Sequence, residues 1–379
     1  MPIDQSNLAL VLSGGGARAA YQVGFLRTLT RRFPALSPEI LTGVSAGAVN
    51  AAYLANRSGS FAESVEALYG LWANLRMEHV YRVAPGGLVR NVARWGVRLL
   101  SGGRHTAPTP RSLVDTQPFR DLLLRMTHAA PDGTLTRIED GLAAGRLRAL
   151  AITTSSYSTG QSITWVQGLG IRPWDYAHRK SVECRLTVDH VMASSALPLF
   201  FPAVRLAGGW YGDGGIRLTA PLSPAVNLGA DRILAITTRY GRSRQEANEP
   251  VIDGYPPPAQ VAGVLMNAIF LDQLDGDSLR LERLNQLIEQ LPPERRGDLR
   301  RIDLLVLRPS RDLGKLANQY EPRLPRAFRF MLRGLGTRET RANDMLSLIM
   351  FQHDYLRDLL ALGEADGERA GENVAPLVQ

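Results

Sequence analysis

Apolar residues in this chain follow two patterns: short unbroken runs closed by glycine, and longer stretches with apolar positions three or four apart. The first run, residues 7–12 (N-L-A-L-V-L), ends at a glycine cluster beginning with Gly14 and predicts a buried strand. Residues 17–29 place Tyr21, Phe25 and Leu29 four apart, the spacing of one helix face. A second short strand at 39–43 runs into Gly43-Val44-Ser45-Ala46-Gly47, and the small and apolar residues at 46–54 continue as a buried helix. Further strands are expected at 147–153, 162–166, 233–238 and 302–307, and helices at 119–126, 188–196, 261–274, 279–291, 324–335 and 341–360. Strands alternating with helices predict an α/β protein of three layers around a largely parallel central sheet.

The pattern also divides the chain. Residues 83–118 are dominated by glycine, proline and arginine and read as a cap or insertion over the core. Residues 7–310 are expected to form one catalytic domain and 311–362 a helical C-terminal extension. The polar, glycine-containing tail at 363–379 is expected to be disordered.

The composition, 379 residues with 45% hydrophobic and 21% charged, is that of a soluble globular protein able to bury a core without staples. Cys184 is the single cysteine, which excludes an intramolecular disulfide and a cysteine-rich metal site. The six histidines show no close-spaced ligand pair, so neither metal nor cofactor is expected. The N-terminus lacks the basic start of a secretory signal, and the apolar stretch at 261–271 is broken by Asn267 and too short to span a bilayer. The expectation is a cytoplasmic protein with peripheral access to membranes.

A net charge of +8 favours anionic partners, and a lipid surface is expected in preference to nucleic acid. Arg90, Arg94 and Arg98 recur every four residues, with Val89, Val92, Trp95 and Leu99 on another face. Such a basic amphipathic helix suits contact with an anionic membrane; the alternative is a cap helix packed on the core.

Three glycine-framed turns carry the candidate chemistry. Gly43-Val44-Ser45-Ala46-Gly47 fits the nucleophile-elbow pattern G-x-S-x-G, in which a strained strand-to-helix turn lifts a hydroxyl clear of the backbone. Gly14-Gly15-Gly16-Ala17-Arg18 follows the first strand, and consecutive glycines let backbone N–H groups face a phosphate or a developing oxyanion. The spacing Gly14-x-Gly16-x-x-Ala19 also matches a dinucleotide fingerprint, although Glu39, at about the 20-residue spacing that fingerprint wants, begins its strand instead of ending it. Asp213, before Gly214 and Gly215, is either a turn former or a base for the serine. Among the histidines, His353 has the chain order of an α/β-hydrolase base, and His105 lies near a glycine pair.

In this order G-G-G-x-R, G-x-S-x-G and D-G-G, supported by Ala193-Ser194-Ser195-Ala196-Leu197-Pro198 with Phe201-Pro202 and by Ser112-Leu113-x-Asp115-x-x-Pro118, resemble the patatin-like phospholipases. The likeness covers residues 8–221 well and is thinner from there to 309. It implies a lipid substrate, hydrolysis of fatty acyl esters, and a Ser45–Asp213 dyad without histidine. It also implies an oxyanion hole of backbone N–H groups at Gly14, Gly15 and Gly16 with Arg18 nearby, and Gly43, Gly47, Gly214 and Gly215 as supports. Ala19 stands where the family usually has glycine. A catalytically silent lipid-binding or scaffold protein, or a nucleotide-binding protein using the Gly14 loop, are the alternatives.

Overall fold

The computed structural model describes residues 7–82, 112–250, 254–270, 272–324 and 343–378, together with Val97 and Arg329. Its centre is a sheet in which ten strands are described: β1 (Leu8–Leu12), β2 (Ile40–Val44), β3 (Ala149–Ser156), β4 (Ser162–Gly168), β5 (Asp175–Tyr176), β6 (Arg179–Glu183), β7 (Val204–Leu206), β8 (Gly209–Asp213), β9 (Arg232–Ile236) and β10 (Asp303–Leu307). The order is β10-β9-β1-β2-β3-β4-β6-β5, and the five strands from β10 to β3 are all parallel. β4 returns antiparallel to β3, and the hairpin of β7 and β8 adds antiparallel to the end of β3. The fold is therefore mixed α/β with a mostly parallel sheet, as the alternation of strand and helix patterns predicts.

The register explains where the loops meet. Leu12 pairs with both Gly43 and Ile236, so the chain leaves β1, β2 and β9 at one edge of the sheet. β8 runs the other way and sets Asp213 opposite Thr154 near the end of β3. Alternate residues face opposite sides: Leu8, Leu10 and Leu12 enter one core, Ala9 and Val11 the other. The first core is the larger, with α1 (Ala20–Arg32), α2 (Ala46–Ala55) and α3 (Phe61–Ala73). The second is thinner, closed by Leu222, Ala225 and Leu228 around the short helix Ser223–Asn227.

Tyr21, Phe25 and Leu29 are buried as expected, but α1 is buried on nearly every side, Gln22, Thr28 and Thr30 included. The reason is the C-terminus. The tail expected to be disordered belongs to a helix, His353–Val378, packed along α1. Its glycines are contact points: a Cβ on Gly363 would lie 2.2 Å from the Tyr21 carbonyl oxygen, and one on Gly367 2.8 Å from Thr28 Cβ. Gly24 answers from α1, where a Cβ would lie 2.0 Å from the Leu360 carbonyl oxygen. Glycines four apart bring two backbones together, and a composition that reads as polar and flexible is here a packing stripe.

Other boundaries shift. The helix patterns at 261–274 and 279–291 become α4 (Pro258–Phe270) and α5 (Gln273–Gln290), and the pattern at 341–360 breaks into α6 (Asp344–Ile349) and α7 (His353–Val378). Residues 112–118, assigned to the cap, are tied to the body: Leu113 and Val114 donate their N–H groups to the carbonyls of Leu199 and Phe200, and a helix begins at Gln117. The rest of the cap apart from Val97, with Arg90, Arg94, Trp95 and Arg98, and most of the expected helix at 324–335 lie outside the described residues.

Candidate active site

Ser45 sits between β2 and α2 with φ 55° and ψ −131°, a strained conformation for a residue with a side chain. Its glycine neighbours are required by contact. A Cβ on Gly43 would come 2.5 Å from the Gly47 carbonyl oxygen, and one on Gly47 2.2 Å from that of Leu12. The turn is also held from outside by two serines of the A-S-S-A-L-P block. Ser194 Oγ accepts the N–H of Ser45 at 3.0 Å and donates to the Thr153 carbonyl at 2.7 Å, while Ser195 Oγ donates to the Ser45 carbonyl at 3.0 Å. The sequence offered that block as a family marker without giving either serine this role.

Ser45 Oγ donates to Asp213 Oδ2 at 2.6 Å. Asp213 is fully buried, its other oxygen accepts the Gly215 N–H at 2.9 Å, and its own N–H donates to the Ala196 carbonyl. Burial pushes its carboxyl pKa up to about 7, against the smaller opposing pull of the Ser45 and Gly215 hydrogen bonds. Gly214 and Gly215 are fixed by proximity: Cβ atoms there would lie 2.1 Å from the Thr153 carbonyl oxygen and 2.3 Å from the Phe270 ring.

Among the described residues no histidine partners Ser45. His353 begins α7 beside Asp354, and His105 lies outside the described residues. His190 is buried, takes the Thr187 N–H on Nδ1 at 3.1 Å, and is held near pKa 4 by burial.

The glycine loop lies against the serine: a Cβ on Gly14 would be 3.1 Å from Ser45 Cβ. Gly15 and Gly16 have positive φ, 148° and 54°, and among the described residues no acceptor takes the N–H of either. Thr238 and Leu348 crowd their backs, 2.4 Å and 2.0 Å from where Cβ atoms would sit. Below the loop runs a buried polar relay. Gln22 Nε2 donates to the carbonyls of Ser13 and Ile236, and its Oε1 accepts from Asn50 Nδ2. Asn50 also donates to the Ala19 carbonyl and accepts Trp72 Nε1 at 2.8 Å. Gln22 and Asn50 are polar residues inside apolar helices, the one sequence signal that marks them.

The Arg18 side chain is turned from the glycine loop to α6. Its guanidinium is buried, donating to Ser347 Oγ at 2.7 Å and to Asp344 Oδ1 at 2.6 Å, so it ties the glycine loop to α6. Ala19 is fully buried. The dinucleotide reading fails on the register. Glu39 precedes β2 and binds backbone at the start of β1 and β3, while the glycine loop lies at the opposite edge.

Ser45, Gly15 and Gly16 open on an apolar cavity, partly open to solvent, walled by residues such as Val49, Leu75, Phe119, Phe201, Phe270 and Phe351. Among the described residues no charged side chain lines it.

The strand ends of a mixed α/β sheet thus converge on an apolar cavity. The family model described as patatin-like phospholipase matches residues 10–226, and the chain belongs to that family. No curated protein matches the sequence. Among solved structures the chain is similar to VipD from Legionella pneumophila, with 15% identity, TM-score 0.33, and coverage of 94% of this chain and 67% of VipD. It is also similar to human GIVD cytosolic phospholipase A2 (13% identity, TM-score 0.45), with 98% of this chain and 58% of that one covered. The type III effector ExoU of Pseudomonas aeruginosa aligns over 93% of this chain and 53% of its own, at 16% identity and TM-score 0.34. The chain thus spans little more than half the length of the last two.

Proposed function

We propose that the protein hydrolyses fatty acyl esters of phospholipids or related lipids through a Ser45–Asp213 dyad. The observation that carries this reading is the 2.6 Å contact between a strained, turn-borne hydroxyl and a buried carboxylate whose pKa burial has lifted to about 7. A free carboxylate, with a pKa of about 3.9, is a weak base for an alcohol. Desolvation brings Asp213 closer to the range in which a general base works at neutral pH. Ser45 Oγ attacks the ester carbonyl and its proton passes to Asp213. The tetrahedral oxyanion is met by the Gly15 and Gly16 N–H groups, which have no acceptor among the described residues. Collapse breaks the ester bond, and Asp213 returns the proton to the departing alcohol, leaving acyl-Ser45. Water, deprotonated by Asp213, then releases the fatty acid. The uncharged cavity holds the acyl chain and leaves a polar head group at its mouth.

The test pairs a fluorophosphonate probe with a panel of lipid classes. Wild type should label and release fatty acid, Ser45→Ala should do neither, and Asp213→Asn should lose roughly a thousandfold in turnover. Full activity in Asp213→Asn would remove the aspartate from the mechanism. Lipid binding without labelling of wild type would favour a silent binding protein.

A further inference from the structure

From Gly254 to Phe270 the chain carries no charged residue, and most of this stretch is α4. The inner face of α4 is accounted for. Gly263 lies against Asp344, Asn267 Nδ2 donates to Asp344 Oδ2 at 2.6 Å, and Phe270 reaches the cavity beside Gly215. The opposite face consists of Val261, Val264, Leu265 and Ala268, at one-turn spacing. All four are exposed, the three large ones at 46%, 57% and 55%, and Tyr255 just before the helix is at 95%. An apolar helix face belongs against a core or in lipid, and the face opposite Asp344 has no core against it among the described residues.

We propose that the outer face of α4 docks the protein on a phospholipid surface. The proposal rests on the lipid-hydrolase reading, and two observations select lipid as the occupant. The helix that carries the exposed face also supplies Phe270 to the wall of the cavity that holds Ser45, so a lipid surface on α4 lies one helix away from the site where acyl chains are needed. The carboxylates next along the chain are neutralised: Asp272 pairs with Arg239, and Asp275 with Arg239 and Arg308. In a chain of net charge +8 the rim beside this end of the patch thus adds no uncompensated negative charge against an anionic bilayer. Thirteen helical residues span about 20 Å, short of a hydrocarbon core of about 30 Å, so α4 lies in the interface instead of crossing it.

The experiment compares vesicle binding in a Ser45→Ala background, so that lipid is not consumed, with hydrolysis of a short-chain soluble ester in the active protein. Vesicles of phosphatidylcholine with phosphatidylglycerol serve as the probe. Val261→Asp/Leu265→Asp should bind them roughly a hundredfold more weakly while soluble-ester turnover stays at the wild-type level. Val264→Gln/Leu265→Gln, which keeps helix propensity, is the second variant should the first misfold, and the same loss is expected. Unchanged vesicle binding in a folded variant overturns the proposal. So does a wild-type dimer that these variants dissociate without loss of vesicle binding, which would assign the face to a second copy of the chain. Vesicle binding lost on substitution in a protein that hydrolyses no ester at all would leave the docking face in place and remove the hydrolase reading.

Discussion

Arg18 and Asp344 stand 326 positions apart in the chain and meet at 2.6 Å, the arginine almost wholly buried and the aspartate nearly so. Through this pair, and through Ser347 on Arg18 Nε, the glycine loop beside Ser45 is fastened to α6. Asn267 on the other oxygen of Asp344 extends the connection to α4. Removing one partner leaves a buried charge alone. Asp344→Ala is expected to cost about 3–5 kcal/mol, read as a lowered urea midpoint with an unchanged slope. The residual folded enzyme should lose turnover, because the glycine loop beside Ser45 loses its fastening to α6.

Asp213 sets the pH dependence. As a base it must be ionised, so turnover should rise with pH along a limb centred near 7 and level off above it. A rate that is flat from pH 5 to pH 9 (chosen to bracket that value by about two units) would contradict this assignment.

The same shift has a consequence for stability. The folded-state pKa lies above the unfolded value, so the native state binds the extra proton between about 3.9 and about 7. The stability this group contributes is complete below the lower value and is lost as pH rises through the upper one. Asp213→Asn, neutral throughout, should therefore gain in Tm relative to wild type from pH 4 to pH 7, with no further gain beyond. Thermal melts of both proteins across that range measure it.

Glycines in contact and glycines in the open should respond oppositely to alanine. Gly47→Ala drives a Cβ to within 2.2 Å of the Leu12 carbonyl, and should both destabilise the fold by roughly 1–3 kcal/mol and abolish fluorophosphonate labelling. Gly70, inside α3, has no neighbouring atom within 4 Å of its would-be Cβ. Gly70→Ala should stabilise by about 0.5–1 kcal/mol with activity unaltered.

The C-terminal helix should prove part of the core. Gly363→Val places a branched side chain where a Cβ already comes 2.2 Å from the Tyr21 carbonyl oxygen. A loss of about 2–4 kcal/mol is expected, with faster amide hydrogen exchange in both α1 and α7. Exchange confined to the end of α7 would show a frayed tail instead.

Much of the catalytic centre is legible in the chain because its turns are local. Whether Gly43 and Gly47 tolerate a side chain is settled within a few residues of Ser45 and by the next strand, and the strand–turn–helix pattern displays it. The central strands are legible for the same reason: buried parallel strands are short apolar runs, and β1, β2, β3, β4, β9 and β10 all announce themselves. The hairpin of β7 and β8 and the short strands β5 and β6 do not, since their exposed, mixed residues carry little apolar signal. The glycines at 363, 367 and 371 mislead, because in sequence a residue without a side chain looks the same whether it is free or pressed against another backbone.

The sequence by itself determined the central buried strands and the turn chemistry: which apolar runs enter the sheet, and which hydroxyl and carboxylate are framed by glycine for use. Only the tertiary structure decided what those groups meet. It set Asp213 against Ser45 through the antiparallel pairing of β8 with β3, turned Arg18 to Asp344, and laid the last helix along α1. Such contacts join residues far apart in the chain, and they are fixed by the burial of surface that no local pattern of side chains contains.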